Sequence, residues 1–320
     1  MNQKRKDPSI QRRDFLRHSL ILPGAYFGNL LIPQPAETKS SANKNRWSFV
    51  HFTDIHVQPE LRAAQGFRQA VLTMNQLKPK PVLAIAGGDL VMDAFEQEYS
   101  RADQLYELYR GIVKDINFPV YSVLGNHDLF GVASKPPVSS THPEYGKKMF
   151  ANRLGGGKTY RSFDFRDWHF VLLDSIRVTA SLSYEGGIDD AQFDWLKEDL
   201  NSVGRERPVI LVSHIPFFSI LPTLQSGSTE AVPASIVIRN AKEILEFCSG
   251  FNVRLVLQGH VHIVEEHGYK NEQIITSGAV CGNWWRGPRM GHPEGFAVYT
   301  IDEDRIRWSY ETYGWKAEAS

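Results

Sequence analysis

Trp47-Ser-Phe-Val-His-Phe-Thr53 runs directly into Asp54-Ile-His56, and four later stretches repeat its plan. Pro81-Val-Leu-Ala-Ile-Ala86 ends in Gly87-Gly-Asp89, and Pro119-Val-Tyr-Ser-Val-Leu124 ends in Gly125-Asn-His-Asp128. Val209-Ile-Leu-Val-Ser213 ends in His214, and Val253-Arg-Leu-Val-Leu-Gln258 ends in Gly259-His-Val-His262. Short apolar runs of this composition predict strands buried on both faces. Polar groups just past the carboxyl ends of such strands are where open α/β sheets place ligands. The repetition sets the fold class: α/β, with a mixed sheet.

Helices fill the intervals. Leu105, Tyr106, Leu108, Tyr109, Ile112 and Val113 give residues 102–115 one apolar helical face. Asp189-x-x-Gln192 and Asn240-x-x-Glu243 predict capping-box starts for helices over 190–203 and 241–249. Further strands are expected over 160–165, 169–174, 273–277, 296–301 and 306–310, the last two as an antiparallel hairpin.

The composition of the 320 residues is that of a globular protein: 42% hydrophobic, 22% charged, with 36 basic and 36 acidic side chains. It excludes disorder, collagen-like sequence and a polytopic membrane protein. The zero net charge conceals a basic start, which leaves residues 43–320 with a formal charge of −4. A mildly acidic body does not suit phosphate-backbone binding, so no stable nucleic-acid complex is expected. Two cysteines, Cys248 and Cys281, are too few for a disulfide scaffold or a thiolate metal site. They are read either as a pair formed after export or as two buried thiols.

Ile10-Gln-Arg-Arg-Asp-Phe-Leu-Arg17 resembles the twin-arginine export signal at Arg12, Arg13, Phe15, Leu16 and Arg17. Gln11 departs from the Ser or Thr usual there. Leu20 to Pro33 is mildly apolar and broken by Pro23, Gly24, Gly28 and Asn29. It is shorter than the roughly 20 apolar residues of a bilayer span. Ser40-Ser-Ala42 is a cleavage candidate. Residues 1–43 are therefore read as export signal and polar linker, with the twin-arginine machinery as partner. The expected location is periplasmic or extracellular, with no transmembrane span beyond an uncleaved signal anchor.

Taken in order, the five strand-end motifs resemble the calcineurin-like metallophosphoesterase superfamily from about Trp47 to His262. The resemblance implies a two-layer mixed β-sandwich flanked by helices, with residues 44–320 as a single catalytic domain. It implies a dinuclear metal centre in which Asp54, His56 and His262 hold one ion. Asn126, His214 and His260 hold the other, and Asp89 bridges the two. Imidazole and carboxylate ligands suit transition metals such as Fe, Mn or Zn. Two ions about 3.5–4 Å apart clamp the oxygens of an in-line displacement at phosphorus, with a bridging hydroxide as nucleophile. The resemblance assigns phosphate contact and leaving-group protonation to His127. Asp128 is expected to hydrogen-bond the His127 ring and hold it protonated.

Departures from related patterns narrow the subclass. Met92 stands where purple acid phosphatases carry a metal-bound tyrosine, and His56 stands where the ADP-ribose and CDP-alcohol hydrolases carry Gln. The motifs look most like the bacterial cyclic-nucleotide phosphodiesterase group. The expected substrate is a small-molecule phosphate ester, a diester before a monoester. An exported metal- or phosphate-binding protein without turnover is the reading of another class, and the complete ligand set with His127 opposes it. Leu154-Gly-Gly-Gly-Lys-Thr159 resembles the end of a P-loop, but no strand precedes it. Residues 131–157 read as a surface loop with a short helix over the site, His142 as a solvated loop residue, and His51 and His169 as structural. The glycine- and proline-rich stretch Gly278–Gly295 reads as a loop over the metal centre. In it, Trp284 or Trp285 is expected to stack on substrate and Arg286 to reach a phosphate oxygen.

Overall fold

The computed structural model describes residues 46–318. The predicted export signal lies outside the described residues. The chain opens with β1 (Trp47–Phe52), α1 (Ala63–Gln76), β2 (Leu83–Ala86), α2 (Tyr99–Val113) and β3 (Val120–Ser122). Next come α3 (Lys148–Arg153), β4 (Arg161–Phe165), β5 (Trp168–Leu172), β6 (Ile176–Val178), β7 (Tyr184–Gly186) and α4 (Asp190–Val203). Then follow β8 (Val209–Val212), α5 (Leu221–Ser226), α6 (Ala241–Cys248) and β9 (Val253–Gln258). The chain closes with β10 (Val264–Tyr269), β11 (Glu272–Ser277), β12 (Gly295–Asp302) and β13 (Arg305–Thr312).

Two mixed sheets result, in the orders β13-β12-β1-β2-β3 and β10-β11-β9-β8-β5-β4. Strands β1, β2 and β3 run parallel, as do β5, β8 and β9, so motifs past their carboxyl ends gather at one edge of each sheet. Alternation along each strand explains the two-sided burial. Phe49, Ile85, Phe170, Ile210, Leu255, Leu257 and Tyr299 share one core between the sheets. Their neighbours Val50, Phe52, Ala84, Leu211 and Val256 instead join the apolar faces of the helices, such as Phe67, Tyr106, Leu196 and Ile244. This is the α/β/β/α sandwich. Phe49 stacks on Tyr299 at 5.0 Å and meets Phe170 edge-on at 5.6 Å. His51 crosses the same interior, its Nδ1 lying 2.6 Å from Ser277 Oγ.

Several expectations need correction. The run ending at Leu124 forms only a three-residue edge strand, β3, and is half-buried because it has a neighbour on one side alone. Asp189 caps α4 by accepting from Gln192 N at 2.8 Å, as its spacing predicts. Asn240 does not cap α6: its side chain bonds both backbone groups of Ile188 instead. His142 is not solvated but half-buried beside Tyr99 and Phe130, with ring centroids 5.1 and 5.2 Å away. Strands β12 and β13 form the terminal antiparallel hairpin. Among the described residues, no helix is long and apolar enough to cross a membrane.

His169 is 5% exposed and lies between Asp164 (2.7 Å from Nδ1) and Asp199 (2.8 Å from Nε2). Burial alone would lower its pKa, but Asp199 and Asp164 outweigh that and raise it. A raised folded pKa stabilises below the unfolded value of about 6.5 and loses that contribution as pH rises through the folded pKa. His169→Gln should therefore cost roughly 1–3 kcal/mol at pH 5.5 and distinctly less at pH 9, measured by urea unfolding at both pH values.

Candidate metal centre

Five of the seven expected ligands occupy left-handed backbone: Asp54 (φ 54°), His56 (43°), Asp89 (50°), His260 (71°) and His262 (59°). Asp and His tolerate this region better than most residues, yet so many together mark over-determined backbone of the kind found at functional sites. The constraint is visible in the hydrogen bonds. The loop after β1 docks on the loop after β2, with Asp54 N donating to Gly88 O, and Ile55 N and His56 N both donating to Asp89 O. Asp54 in turn accepts His260 N on both carboxylate oxygens at 3.0 Å, tying in the loop after β9. A side chain at Gly125 would collide with the Asp89 backbone.

The side chains fall into two sets. His56 Nε2 lies 3.0 Å from His262 Nε2, which lies 3.3 Å from Asp54 Oδ1. His214 Nε2 lies 3.2 Å from Asn126 Oδ1, and the ligating atoms of His214, His260 and Asp89 are within 4.8 Å of one another. Asp89 Oδ2 faces both sets, 3.5 Å from His56 Nε2 and 3.2 Å from His214 Nε2. Separations near 3 Å are those of donors sharing an ion at bond lengths of about 2.1 Å.

The ring orientations fit the same purpose. His214 Nδ1 is held by Gly87 O (3.0 Å), His262 Nδ1 by Gly282 O (2.7 Å) and His260 Nε2 by Ser235 O (2.9 Å). Each carbonyl fixes one nitrogen as the donor and leaves the other lone pair turned inward. His260 Nδ1 is buried with no hydrogen-bond partner among the described residues. Burial draws His56 well below the usual histidine range and His260 to about 4, keeping both in the neutral form that binds metal. Burial pushes the Asp54 carboxyl up, but the His262 imidazole outweighs it and holds Asp54 at about 2. This donor set fits two transition-metal ions.

His127 sits beside the cluster, its ring 4.7 Å from that of His56. Its backbone N donates to Asp89 Oδ1 at 2.9 Å. Its partner is not Asp128. That carboxylate is buried and accepts from Leu90 N, Val91 N and Gly125 N at 2.8, 3.2 and 2.8 Å, bracing the loops that carry Asp89 and Asn126. Asp93 Oδ1 instead lies 3.2 Å from His127 Nδ1. Burial alone would lower the His127 pKa, but Asp89 and Asp93 reverse this and raise it. Sequence reading missed Asp93; its signal is its position four residues after Asp89, on the same loop.

The loop after β11 lies on the site, since Val280 N and Cys281 N donate to Thr53 O and Asp54 O. Its two tryptophans differ. Trp285 is 1% exposed, donates Nε1–H to the carbonyls of Ile55 and His56 at 3.0 Å, and meets Trp315 edge-on. It is a structural wedge, not a substrate wall. Trp284 is half-exposed, with its ring 4.6 Å from His262 and 6.1 Å from His56. Arg286 is exposed, and the guanidinium beside Trp284 belongs to Arg289, 4.9 Å from the indole centroid. Arg289 is half-buried and donates to Val261 O and Asn283 Oδ1. Both cysteines are free and buried, and Cys281 Sγ lies 3.8 Å from His262 Nδ1.

Fold and site together define a metallophosphoesterase. Residues 48–264 match the calcineurin-like phosphoesterase family, and the chain belongs to it. It is a metal-dependent hydrolase of phosphate esters. It is 28% identical over 246 residues to the serine/threonine-protein phosphatase CPPED1 of Mus musculus, covering 76% of this chain and 71% of that one. It is 26% identical over 221 residues to the 3',5'-cyclic adenosine monophosphate phosphodiesterase CpdA of Haemophilus influenzae, covering 68% of this chain and 67% of that one. A dimetal phosphatase from Danio rerio has the same fold at a TM-score of 0.63 and 16% identity, covering 83% of this chain and 96% of that one.

The two tryptophans should separate experimentally. Trp285→Leu should lower stability by about 2–4 kcal/mol, through lost packing and two orphaned carbonyls. Trp284→Leu should cost less than about 1 kcal/mol. Chemical denaturation of both variants measures this, and equal losses would make Trp284 packing as well.

Proposed function

We propose that this chain is an exported phosphodiesterase acting on small phosphate diesters. The observation that supports its hydrolytic part is the placement of Asp89 Oδ2 between two candidate ligand sets, with the His127–Asp93 pair alongside. Asp54, His56 and His262 would hold one ion and Asn126, His214 and His260 the other, with Asp89 shared. Bound ions supply Lewis acidity toward the phosphoryl oxygens and lower the pKa of a water. The chain's own residues do the rest. His127 is the candidate acid: Asp93, 3.2 Å from its Nδ1, favours the protonated form that would donate to a leaving oxygen. Asp128 acts as a brace. Trp284 offers a flat apolar wall, and Arg289 a cation for a group beyond the phosphorus. The likeness to CpdA and the strand-end motifs support the diester reading. The likeness to CPPED1 supports a second one, a phosphomonoesterase using the same residues.

Purified protein loaded with Mn²⁺ should hydrolyse bis(4-nitrophenyl) phosphate faster than 4-nitrophenyl phosphate; the reverse order supports the monoesterase. Failure on both, with metal bound, would leave a binding protein. His127→Ala should keep its metal, checked by elemental analysis, and lose about 10²–10⁴-fold in rate. The loss should shrink for esters with very acidic leaving groups, and Asp93→Asn should show the same trend more weakly. A loss equal across leaving groups would remove the acid role.

Export is proposed from the order of charged, apolar and polar segments in residues 1–43. The ligands come from positions 54 to 262, so the centre exists only in a folded chain. A pathway that moves folded proteins suits that requirement. Changing Arg12 and Arg13 to lysine should leave folded, active protein in the cytoplasm, measured by fractionation and activity. Undiminished appearance outside the inner membrane would refute this.

A further inference from the structure

A cavity of about 520 Å³ opens on the side of the sandwich where the edge strands β3 and β4 meet, with Tyr121 stacked on Phe163 at 4.0 Å. It shares no lining residue with the metal centre. Its size falls within the roughly 300–1,000 Å³ of small-ligand sites. The lining carries two cations, Lys158 and Arg161, and no acidic side chain, although the body as a whole is acidic.

Arg161 is half-buried. Its guanidinium donates to Gly155 O at 3.1 Å and Ser122 O at 3.5 Å and lies over Tyr121. Among the described residues, no carboxylate lies within 4.0 Å of it, whereas Arg153 nearby in sequence has carboxylates of Asp103, Glu107 and Glu144. A guanidinium has five N–H donors, and two are engaged here. A partly desolvated cation with unused donors and no counter-ion favours an anion from outside the chain. Asp199, which meets the lining at Ser162, is already committed: it accepts from Ser162 Oγ at 2.6 Å and lies 2.8 Å from His169 Nε2. Beside the cations, Tyr160 and Trp195 present aromatic rings 4.9 Å apart.

The glycine turn explains why side chains rather than backbone would bind. Gly155 N, Gly157 N and Lys158 N donate to Phe150 O, Ala151 O and Gly155 O, so the turn is not the open nest of amides that a P-loop offers. What Gly157 gives is backbone freedom: at φ +87° it turns the chain, beside space open enough that an added Cβ would meet nothing within 4 Å.

We infer that this cavity is a second ligand site for a nucleoside monophosphate, with its phosphate between Lys158 and Arg161 and its base against Tyr160 and Trp195. Arg161 also joins the site to Ser122 of β3, and the chain beyond that strand carries Asn126 and His127.

The test is calorimetric titration of the full chain with a hydrolysis-resistant phosphonate analogue of adenosine monophosphate. Saturable binding is expected, with adenosine at least about tenfold weaker because it lacks the charge. Lys158→Glu and Arg161→Gln should each weaken the phosphonate by at least about tenfold. Lys158 is exposed, so that variant should fold normally and hydrolyse bis(4-nitrophenyl) phosphate at the wild-type rate. Phosphonate binding unchanged in both variants would belong to the metal centre and overturn the proposal. Adenosine binding as tight as the phosphonate, or no binding of the phosphonate, would overturn it equally.

Discussion

Everything at the strand ends is organised around Asp89. Its Oδ2 faces His56 on one side and His214 on the other, its Oδ1 receives the His127 N–H, and its backbone oxygen receives two N–H groups from the loop after β1. One residue thus joins both ligand sets, the expected general acid and the docking of two strands. Burial would push such a carboxyl toward its neutral form. The His214 and His127 imidazoles around it reverse that and hold it well below the usual range. A buried charge is tolerable only when surrounded in this way, and two cations would complete the balance.

The sandwich supplies the rigidity that this arrangement requires. Motifs on β1, β2 and the turn after β3 come from one sheet, and those on β8 and β9 from the other. Their relative position depends on the aromatic and aliphatic layer between the sheets, where a displaced ring moves one half of the ligand set against the other. The polar contact of His51 with Ser277, which also approaches Tyr299, ties β1, β11 and β12 together close beneath the site. A buried polar contact made from one sheet to the other specifies their register better than apolar packing alone.

Much of this was legible in the sequence because strand periodicity and the motifs past strand ends are local properties. The side chains that gather at the candidate centre could be named because each closely follows an apolar run. Direction was not legible. Asp128 adjoins His127 in sequence, yet the short 3₁₀ turn over Asn126–Asp128 turns its carboxylate to backbone amides while Asp93 arrives from another loop. Loop chemistry failed for the same reason. Trp284 and Trp285 are adjacent, but both have left-handed backbone, and only one finds the carbonyls of the loop after β1. Arg286, expected at the phosphate, is exposed, and Arg289 lies beside Trp284 instead, because the chain turns between them at Gly287 (φ 106°). Asn240 carries a good capping pattern, but Ile188 offers its side chain a better-placed pair of backbone groups.

The left-handed backbone at five candidate ligand positions has a thermodynamic consequence. Each such residue costs on the order of 1–3 kcal/mol, a sum comparable with the whole stability of a domain. Glycine at these positions would relax the backbone and remove the ligand, so the chain cannot relieve the cost without giving up the centre. Apolar burial on the two faces of the sheets offsets that cost and holds the five residues in place. Ions that bind only the folded arrangement would return part of that cost, which makes metal supply a determinant of the lifetime of the protein as well as of its activity.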